Sequence, residues 1–247
     1  MPQADPTLQP DQLDAMMGDF TAWPKYIELL EANFPNSDPK SILDIGGGNG
    51  IVIDRLLARF PNAHGVLLDD AAHMIERNQP GERKDLVCGS ALDLPQVVGG
   101  RRFDVITIID LLHHLVGSSR EQTKQNVRRF LDSLHDVLTP DGCVLVYELT
   151  FDGWWPGIEP GDVIYALTRL RAPMFAGLMR LLGANTAGVG VAFRSTEGWR
   201  RQFQDASFSI VDEASNWTSD FRPIHFLSLG IRQNADRIFV LRAESGA

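Results

Sequence analysis

The amino-acid sequence predicts an α/β fold in which a doubly wound, mostly parallel sheet of seven strands carries helices on both faces. Two observations support this prediction. Short apolar runs alternate with amphipathic helical stretches from about residue 40 to residue 150, which is typical of parallel strands joined by crossover helices. A run of glycines also stands where the first apolar run passes into a helical stretch. The predicted parts are an N-terminal helical lid (1–39), a core (40–150), a helical cap inserted after strand 5 (151–193) and the C-terminal part of the core sheet (194–247).

Each element of the core is predicted from its own pattern. The run FDVITII is nearly all apolar and rich in β-branched residues, as expected of a strand buried on both faces. The longest helix keeps its apolar residues at helical spacing, and Ser118 with Glu121 predicts a capping box at its start. The core strands are predicted at 41–45, 65–68, 85–88, 103–109 and 143–149, the helices at 51–60, 71–77 and 121–138, and a turn at 139–142.

The two flanks of the core differ from it in composition. The cap is rich in Gly, Pro, Met and aromatic residues. We interpret the flanks as a lid over the carboxyl edge of the sheet, where open α/β sheets bind ligands, although ordinary packing elements would leave a similar pattern. The flanking elements are predicted at 12–34 (helical, broken at Trp23-Pro24), near 162–182 (helix), at 196–203 (helix), and at 208–211 and 237–241 (strands).

The composition is that of a folded, acidic protein. Among 247 residues, 23 Lys and Arg against 32 Asp and Glu give a formal net charge of −9, and 44% of residues are hydrophobic, which excludes wholesale disorder. Basic clusters are absent, which argues against nucleic acid as a partner. Cys88 and Cys143 lie in apolar runs, so we expect reduced thiols and a cytoplasmic location. The sequence shows neither a signal-peptide pattern nor the roughly 18 apolar residues that span a bilayer, so we expect no membrane association.

The most informative segment is SILDIGGGNG, at residues 41–50. Glycine at a strand-to-helix turn lets the backbone bend sharply and lets a ligand approach main-chain atoms closely. A dinucleotide fingerprint starting at Gly46 would need Gly or Ala where Ile51 stands. The pattern is instead D-x-G-x-G-x-G, from Asp44 to Gly50. An acidic pair, Asp69-Asp70, ends the next strand, where a carboxylate can accept hydrogen bonds from both hydroxyls of a ribose.

These segments resemble the class I S-adenosylmethionine-dependent methyltransferases, and most closely the small-molecule O-methyltransferases. The resemblance covers about residues 40–150 and implies a Rossmann-like fold, S-adenosylmethionine as cofactor and S-adenosylhomocysteine as product. ILDIGGGNG is similar to the first motif of that family, and GVLLDD to its strand-2 segment. CGSALDLP resembles the adenine-binding motif, IIDLLHHL the substrate-facing segment, and LTPDGCVLVYE the loop and strand that complete the core.

The resemblance also implies which residues contact the cofactor. Asp44 would order the glycine loop and the methionine ammonium group, and Asp69 would bind the ribose. The backbone of Ser90 and Ala91 would contact the adenine, with Asp93 as a further candidate. The full set is Asp44, Gly46, Gly48, Asn49, Gly50, Asp69, Asp70, Ser90, Ala91, Asp93 and Asp110, the last at the methionine end.

If the acceptor is a hydroxyl group, a base must remove its proton. His113 and His114 are the first candidates because they follow strand 4 and an imidazole suits proton transfer at neutral pH. We prefer His114 slightly, while a packing role for either histidine stays open. Glu148, at the end of strand 5, and His225 are further candidates. The spacing of His113, His114 and Glu148 matches no compact metal motif, and no carboxylate cluster can be assembled from the sequence, so we expect no metal.

The expected acceptor is a small, apolar or aromatic molecule. The cap offers aromatic and Met side chains that suit such a ligand, which is the interpretation we favour, and at helical spacing they could instead form a homodimer surface. The resemblance and the histidines favour methylation at oxygen, with nitrogen and carbon as alternatives. Two other classes compete: a nucleotide-dependent oxidoreductase or synthase, and a scaffold that keeps the fold without its chemistry. The aromatic and Met side chains of the cap that suit such an acceptor are Trp154, Trp155, Tyr165, Met174, Phe175 and Met179.

Overall fold

The structure is a computed structural model that describes residues 20–34, 38–155, 159–168, 191–220 and 230–244. Part of the predicted N-terminal lid and most of the predicted cap helix therefore lie outside the described residues, as do the candidate base His225 and the cap side chains Met174, Phe175 and Met179.

Seven strands form one sheet in the order β3-β2-β1-β4-β5-β7-β6. Neighbouring strands pair in parallel except β7, which runs antiparallel to both β5 and β6. The predicted doubly wound, mostly parallel sheet of seven strands is confirmed. The strands are β1 (Ser41–Ile45), β2 (His64–Asp69), β3 (Lys84–Cys88), β4 (Phe103–Ile109), β5 (Leu138–Gly153), β6 (Phe208–Asp220) and β7 (Ile231–Ala243).

Helices cover both faces of this sheet. Pro24 stands in the first turn of the N-terminal helix, where its missing N–H costs no hydrogen bond, so the predicted break is the start of the described helix. Within the described residues, no helix is long and apolar enough to cross a membrane. The helices are α1 (Trp23–Asn33), α2 (Ile51–Arg59), α3 (Ala72–Arg77), α4 (Leu94–Val97), α5 (Arg120–Val137), α6 (Pro160–Thr168) and α7 (Thr196–Asp205), with short 3₁₀ turns at Ala91–Asp93 and Leu112–His114.

The predicted cap of α5 is wrong by one residue. The N-cap is Ser119, whose hydroxyl accepts a hydrogen bond from the Gln122 amide at 3.1 Å. Ser118 lies outside the helix, and its own amide donates to the Gln122 side chain at 3.0 Å. Two adjacent serines precede this helix, and both satisfy a capping pattern in sequence, so only the position of the first turn distinguishes them.

Strand β5 continues well past the carboxyl end of its parallel neighbour. Its last pairing with β4 joins Tyr147 to Ile109, but its antiparallel pairing with β7 continues as far as Gly153. The predicted turn at 139–142 lies inside β5, where the pairing with β4 shifts register. The β5–β7 ribbon therefore rises beside the edge of the sheet at which the candidate site lies.

Alternating side chains of the strands build one core on each face. On one face α5 and α7 pack over residues such as Ile106 and Val144, and on the other α1 and α2 pack over residues such as Ile42 and Val105. Tyr26 of α1 is fully buried in the second core. The described part of the predicted lid is thus anchored to the sheet.

Candidate active site

The glycine turn between β1 and α2 has the conformation that its sequence predicts. Gly46, Gly48 and Gly50 have φ angles of 71°, 50° and 76°, in the left-handed region that glycine adopts without a Cβ penalty. A Cβ on Gly48 would meet only the carbonyl oxygen of Gly46, at 4.0 Å. The turn therefore leaves main-chain atoms accessible on that side. Asn49 accepts a hydrogen bond from the Ile51 amide at 3.2 Å, which supports the first turn of α2.

Asn78, which follows α3, holds the glycine turn in place. Its side-chain amide donates to the carbonyl oxygen of Gly48 at 2.8 Å and to that of Met74 at 3.0 Å. A Cβ on Gly50 would lie 2.0 Å from the Asn78 side-chain oxygen, so the two residues require each other. The sequence analysis missed Asn78 because a single Asn in a polar stretch carries no motif or periodic signal.

Asp69 lies beside the turn, as the sequence predicts for the ribose carboxylate. One carboxylate oxygen accepts a hydrogen bond from the Gly48 amide at 2.9 Å, and the other accepts one from the Ala71 amide at 2.9 Å. Each oxygen keeps a second lone pair that a hydroxyl group could use. Its neighbour Asp70 is exposed.

Asp44 lies beneath the turn and is almost fully buried. One carboxylate oxygen accepts a hydrogen bond from the Thr107 hydroxyl at 2.7 Å, and the other has no hydrogen-bond partner among the described residues. A Cβ on Gly47 would lie 2.6 Å from that second oxygen. Burial raises the pKa of Asp44 to about 6, although the Thr107 hydrogen bond acts in the opposite direction. Asp44 therefore places a buried carboxylate directly beneath the turn.

The predicted adenine segment follows β3, and its side chains are already engaged. The Ser90 hydroxyl accepts a hydrogen bond from the Leu92 amide at 3.2 Å and caps the 3₁₀ turn. Asp93 is exposed and forms an ion pair with Arg129 of α5 at 3.0 Å. Ser90 and Ala91 thus present mainly backbone at this position, while Asp93 is directed to α5.

Two of the predicted catalytic residues form a buried pair. His113 Nδ1 lies 2.6 Å from Glu148 Oε2, and the Leu112 amide donates to Glu148 Oε1 at 2.6 Å. His113 is 4% exposed and Glu148 is 0% exposed, so the pair is shielded from solvent. Burial lowers the pKa of His113 and raises the pKa of Glu148, since both groups lose hydration of their charged forms. The imidazole is therefore neutral at physiological pH.

Two aromatic rings contact the ring of His113. Phe193 stacks on it at 4.3 Å between ring centroids, and the ring of His114 lies 4.1 Å away at a tilt of 45°. The Ala192 amide also donates to the backbone carbonyl of His113 at 2.8 Å. His114 is half-buried, and its ring makes no hydrogen bond within the described part of the chain. The geometry thus gives the two histidines different environments, and the hydrogen-bonded one is His113 and not His114, which the sequence analysis slightly preferred.

Asp110 joins this group from the end of β4. Its φ of 50° is unusual for a residue other than glycine, and its amide donates to the carbonyl oxygen of Tyr147 at 2.9 Å. Its carboxyl group lies at the rim of the site, where solvent still reaches it. Loss of hydration, together with the charges of Glu148 and Asp236, raises its pKa. One ligand-type atom from each of Asp110, His113 and Glu148 lies within 4.8 Å of the other two, a convergence that the sequence analysis did not foresee.

Comparisons with known proteins agree with this geometry. Residues 43–144 match the model of a family described as a methyltransferase domain, and no match was found among curated proteins. An O-methyltransferase family protein from Burkholderia thailandensis is 19% identical with a TM-score of 0.58, covering 95% of this chain and 59% of that one. Human N-acetylserotonin methyltransferase, in complex with S-adenosylmethionine, is 16% identical with a TM-score of 0.56, covering 95% and 56%.

A third structure, of a candidate methyltransferase from Bacillus halodurans, is 11% identical with a TM-score of 0.61, and the match covers 90% of this chain and all of that one. At these identities the similarity shows the fold. The chain spans little more than half the length of the Burkholderia and human proteins. The match over residues 43–144 agrees with the resemblance to methyltransferases that the sequence motifs indicate, and the similar structures confirm the Rossmann-like fold.

Proposed function

We propose, from the match of residues 43–144 to a family described as a methyltransferase domain, that the protein transfers a methyl group from S-adenosylmethionine to an oxygen atom of a small, apolar or aromatic acceptor. The observation that carries the proposal is the buried pair of His113 and Glu148, at the sheet edge that also holds the glycine turn. An imidazole held by a carboxyl group at that edge suits the removal of a hydroxyl proton.

The glycine turn and its surroundings fit the cofactor. A main chain without a Cβ at Gly48 and a carboxylate at Asp69 suit close approach of a nucleoside and its ribose hydroxyls. The buried Asp44 carboxylate lies under the turn, where its negative charge favours a cationic ligand. When bound, S-adenosylmethionine supplies an electrophilic methyl group on a sulfonium. The proposed contacts are Asp44, Gly46, Gly48, Asn49, Gly50, Asp69, Asp70, Ser90, Ala91 and Asp110, with Asp93 the weakest member because it pairs with Arg129.

We propose His113 as the general base. We assign the ring proton of His113 to Nδ1, where Glu148 lies at 2.6 Å and would accept it, and this tautomer leaves Nε2 as the acceptor for a hydroxyl proton. The Leu112 amide holds the other oxygen of Glu148, so the carboxylate cannot rotate away. His114 has no comparable partner among the described residues, and we assign it to the wall of the acceptor site.

Apolar side chains near this pair support an apolar or aromatic acceptor. Phe193 stacks on His113 and meets Phe151 edge-on at 5.0 Å. Both phenylalanines pack against a small buried cluster of Ile164, Val191 and Ile231, which joins α6 to the β5–β7 ribbon. This cluster would exclude water from the reacting atoms, and flat apolar surfaces of this kind suit an aromatic ring.

The proposal can be tested by methyl transfer from radiolabelled S-adenosylmethionine to a panel of phenols, enols, aromatic amines and carbon nucleophiles. We expect label on oxygen of at least one hydroxyl-bearing member and none on the matched O-methylated compounds. Label on nitrogen or carbon alone would retain the cofactor assignment and overturn methylation at oxygen. Cofactor binding without transfer to any class would favour a scaffold that has lost its chemistry.

A further inference from the structure

The edge of β4 and β5 brings together three side chains of metal-ligand type. Asp110 ends β4, His113 lies in the turn that follows it, and Glu148 comes from β5; one ligand-type atom from each lies within 4.8 Å of the others. We propose that these three side chains bind a divalent transition-metal ion, with zinc as the best fit, in place of the hydrogen bond between His113 and Glu148.

The two buried members already point their ligand atoms at one another. The Leu112 amide occupies Glu148 Oε1, so Oε2 faces His113 Nδ1 at 2.6 Å. A hydrogen bond that fixes the far atom of a ligand is the usual support of a metal site in proteins. Bonds of about 2.0–2.2 Å to one tetrahedral ion place its ligand atoms about 3.4 Å apart. The pair therefore needs to open by less than about 1 Å, and the Asp110 oxygen, which lies within 4.8 Å of both partner atoms, needs to close by at most about 1.4 Å.

The local charge also favours a cation. Asp110 and Glu148 are two carboxylates in one small site, and no Lys or Arg pairs with either of them in the part of the chain that the structure describes. Buried carboxylates are normally paired or bound to a metal. One imidazole among the ligands favours zinc and its neighbours over magnesium or calcium, which prefer oxygen alone. The exposed Asp110 provides the point of entry from solvent.

Binding of zinc would stop the proposed chemistry. With Nδ1 of His113 bound to the ion, the ring proton lies on Nε2, and the imidazole can no longer accept a proton from the acceptor. This consequence rests on the proposed function, whereas the binding of zinc itself does not.

The test is zinc uptake by the full chain in competition with a chromophoric chelator, without S-adenosylmethionine. We expect one zinc ion per chain for the wild type, and at least tenfold weaker binding in Asp110→Asn and in His113→Gln. Asp110 is at the surface, so its variant should fold even if the His113 variant does not. His64→Gln is the control, because His64 with Asp85 is an exposed surface pair at 3.3 Å that could bind zinc by itself.

Equal affinity in the wild type and in Asp110→Asn would overturn the site, as would wild-type uptake that disappears in His64→Gln. Absence of uptake by the wild type would overturn it as well. A separate titration with S-adenosylmethionine reports on the proposed function, so the two ideas fail independently.

Discussion

His113 and His114 are adjacent in sequence, but their environments assign them different roles. His113 is buried against Glu148, whereas the ring of His114 has no hydrogen bond among the described residues. We expect His113→Gln to lower kcat by about 10²–10⁴-fold, the usual contribution of a general base, with the Kd for S-adenosylmethionine unchanged. His114→Gln is the matched control and should keep most of the activity. Steady-state kinetics with a responsive acceptor decides, and a loss confined to His114→Gln would contradict the assignment.

Asp44 predicts a pH-dependent stability effect. Its pKa is about 6 in the folded protein against 3.8 as the ordinary value, so the folded state holds the proton more tightly. The stabilisation from protonation is present below about pH 4 and is lost as the pH rises through about 6, which amounts to about 3 kcal/mol. Asp44→Asn keeps an acceptor for Thr107 but carries no charge.

We therefore expect the free energy of unfolding of Asp44→Asn, relative to the wild type, to rise by about 3 kcal/mol between about pH 4 and about pH 7. Denaturant titration of both proteins at each pH measures this difference. A difference that does not change with pH would show that Asp44 titrates normally. The same substitution should weaken cofactor binding, because it removes the negative charge beneath the turn.

Some residues of the site could be predicted from sequence and others could not. Asp44, Asp69 and the glycines belong to a local pattern in which each position has a physical reason. The tertiary fold brings Asn78 to the glycine turn and Thr107 to Asp44, and neither residue type is distinctive in a loop or a strand. The pairing of His113 with Glu148 likewise depends on the register between β4 and β5.

The glycine turn is an element whose shape and ligand access can be separated by substitution. Gly48 has a left-handed φ. A Cβ at this position would have nothing within 4 Å except one carbonyl oxygen at that limit, so it would project into the space left for the ligand. Gly99 has a φ of 65° with nothing within 4 Å and lies in a different loop. An added Cβ would therefore cause the same backbone strain at both positions, but only the one at Gly48 would lie beside the proposed cofactor site.

We expect Gly48→Ala and Gly99→Ala to destabilise the fold to a similar degree, by about 1 kcal/mol, because both place a Cβ in the left-handed region. Only Gly48→Ala should weaken S-adenosylmethionine binding, by tenfold or more. Thermal unfolding and calorimetry measure the two effects. Comparable cofactor affinity in both variants would mean that the turn is not the cofactor cradle.

At the level of elements, sequence periodicity predicted the parallel core well and its antiparallel extension poorly. Strand β4 has the predicted bounds because its apolar run ends where the buried sheet ends. Strands β5, β6 and β7 are longer than predicted, because the hydrogen bonds of this ribbon join one backbone to the next and need no continuous apolar run. The net charge, the alternation of apolar runs with helical stretches, and the glycine pattern contain no information on the length of that ribbon.

For the whole molecule, the order of the strands places the two halves of the proposed site side by side. Strands β1 and β2 carry the glycine turn and Asp69, and β4 and β5 carry His113 and Glu148. Because β1 and β4 are neighbours in the sheet, these groups share one edge, as expected at the switch point of a doubly wound sheet. The order of the strands therefore brings residues that are distant in sequence together in one proposed site.

The most direct test of this account is a calorimetric titration of the protein with S-adenosylmethionine, with S-adenosylhomocysteine and with NAD. We expect micromolar binding of the first two and none of NAD. Asp69→Asn should weaken that binding by about 1.5–3 kcal/mol, the value of hydrogen bonds to a charged group. Binding of NAD alone, or equal affinity in the wild type and Asp69→Asn, would contradict the assignment of the glycine turn and Asp69 as the cofactor site.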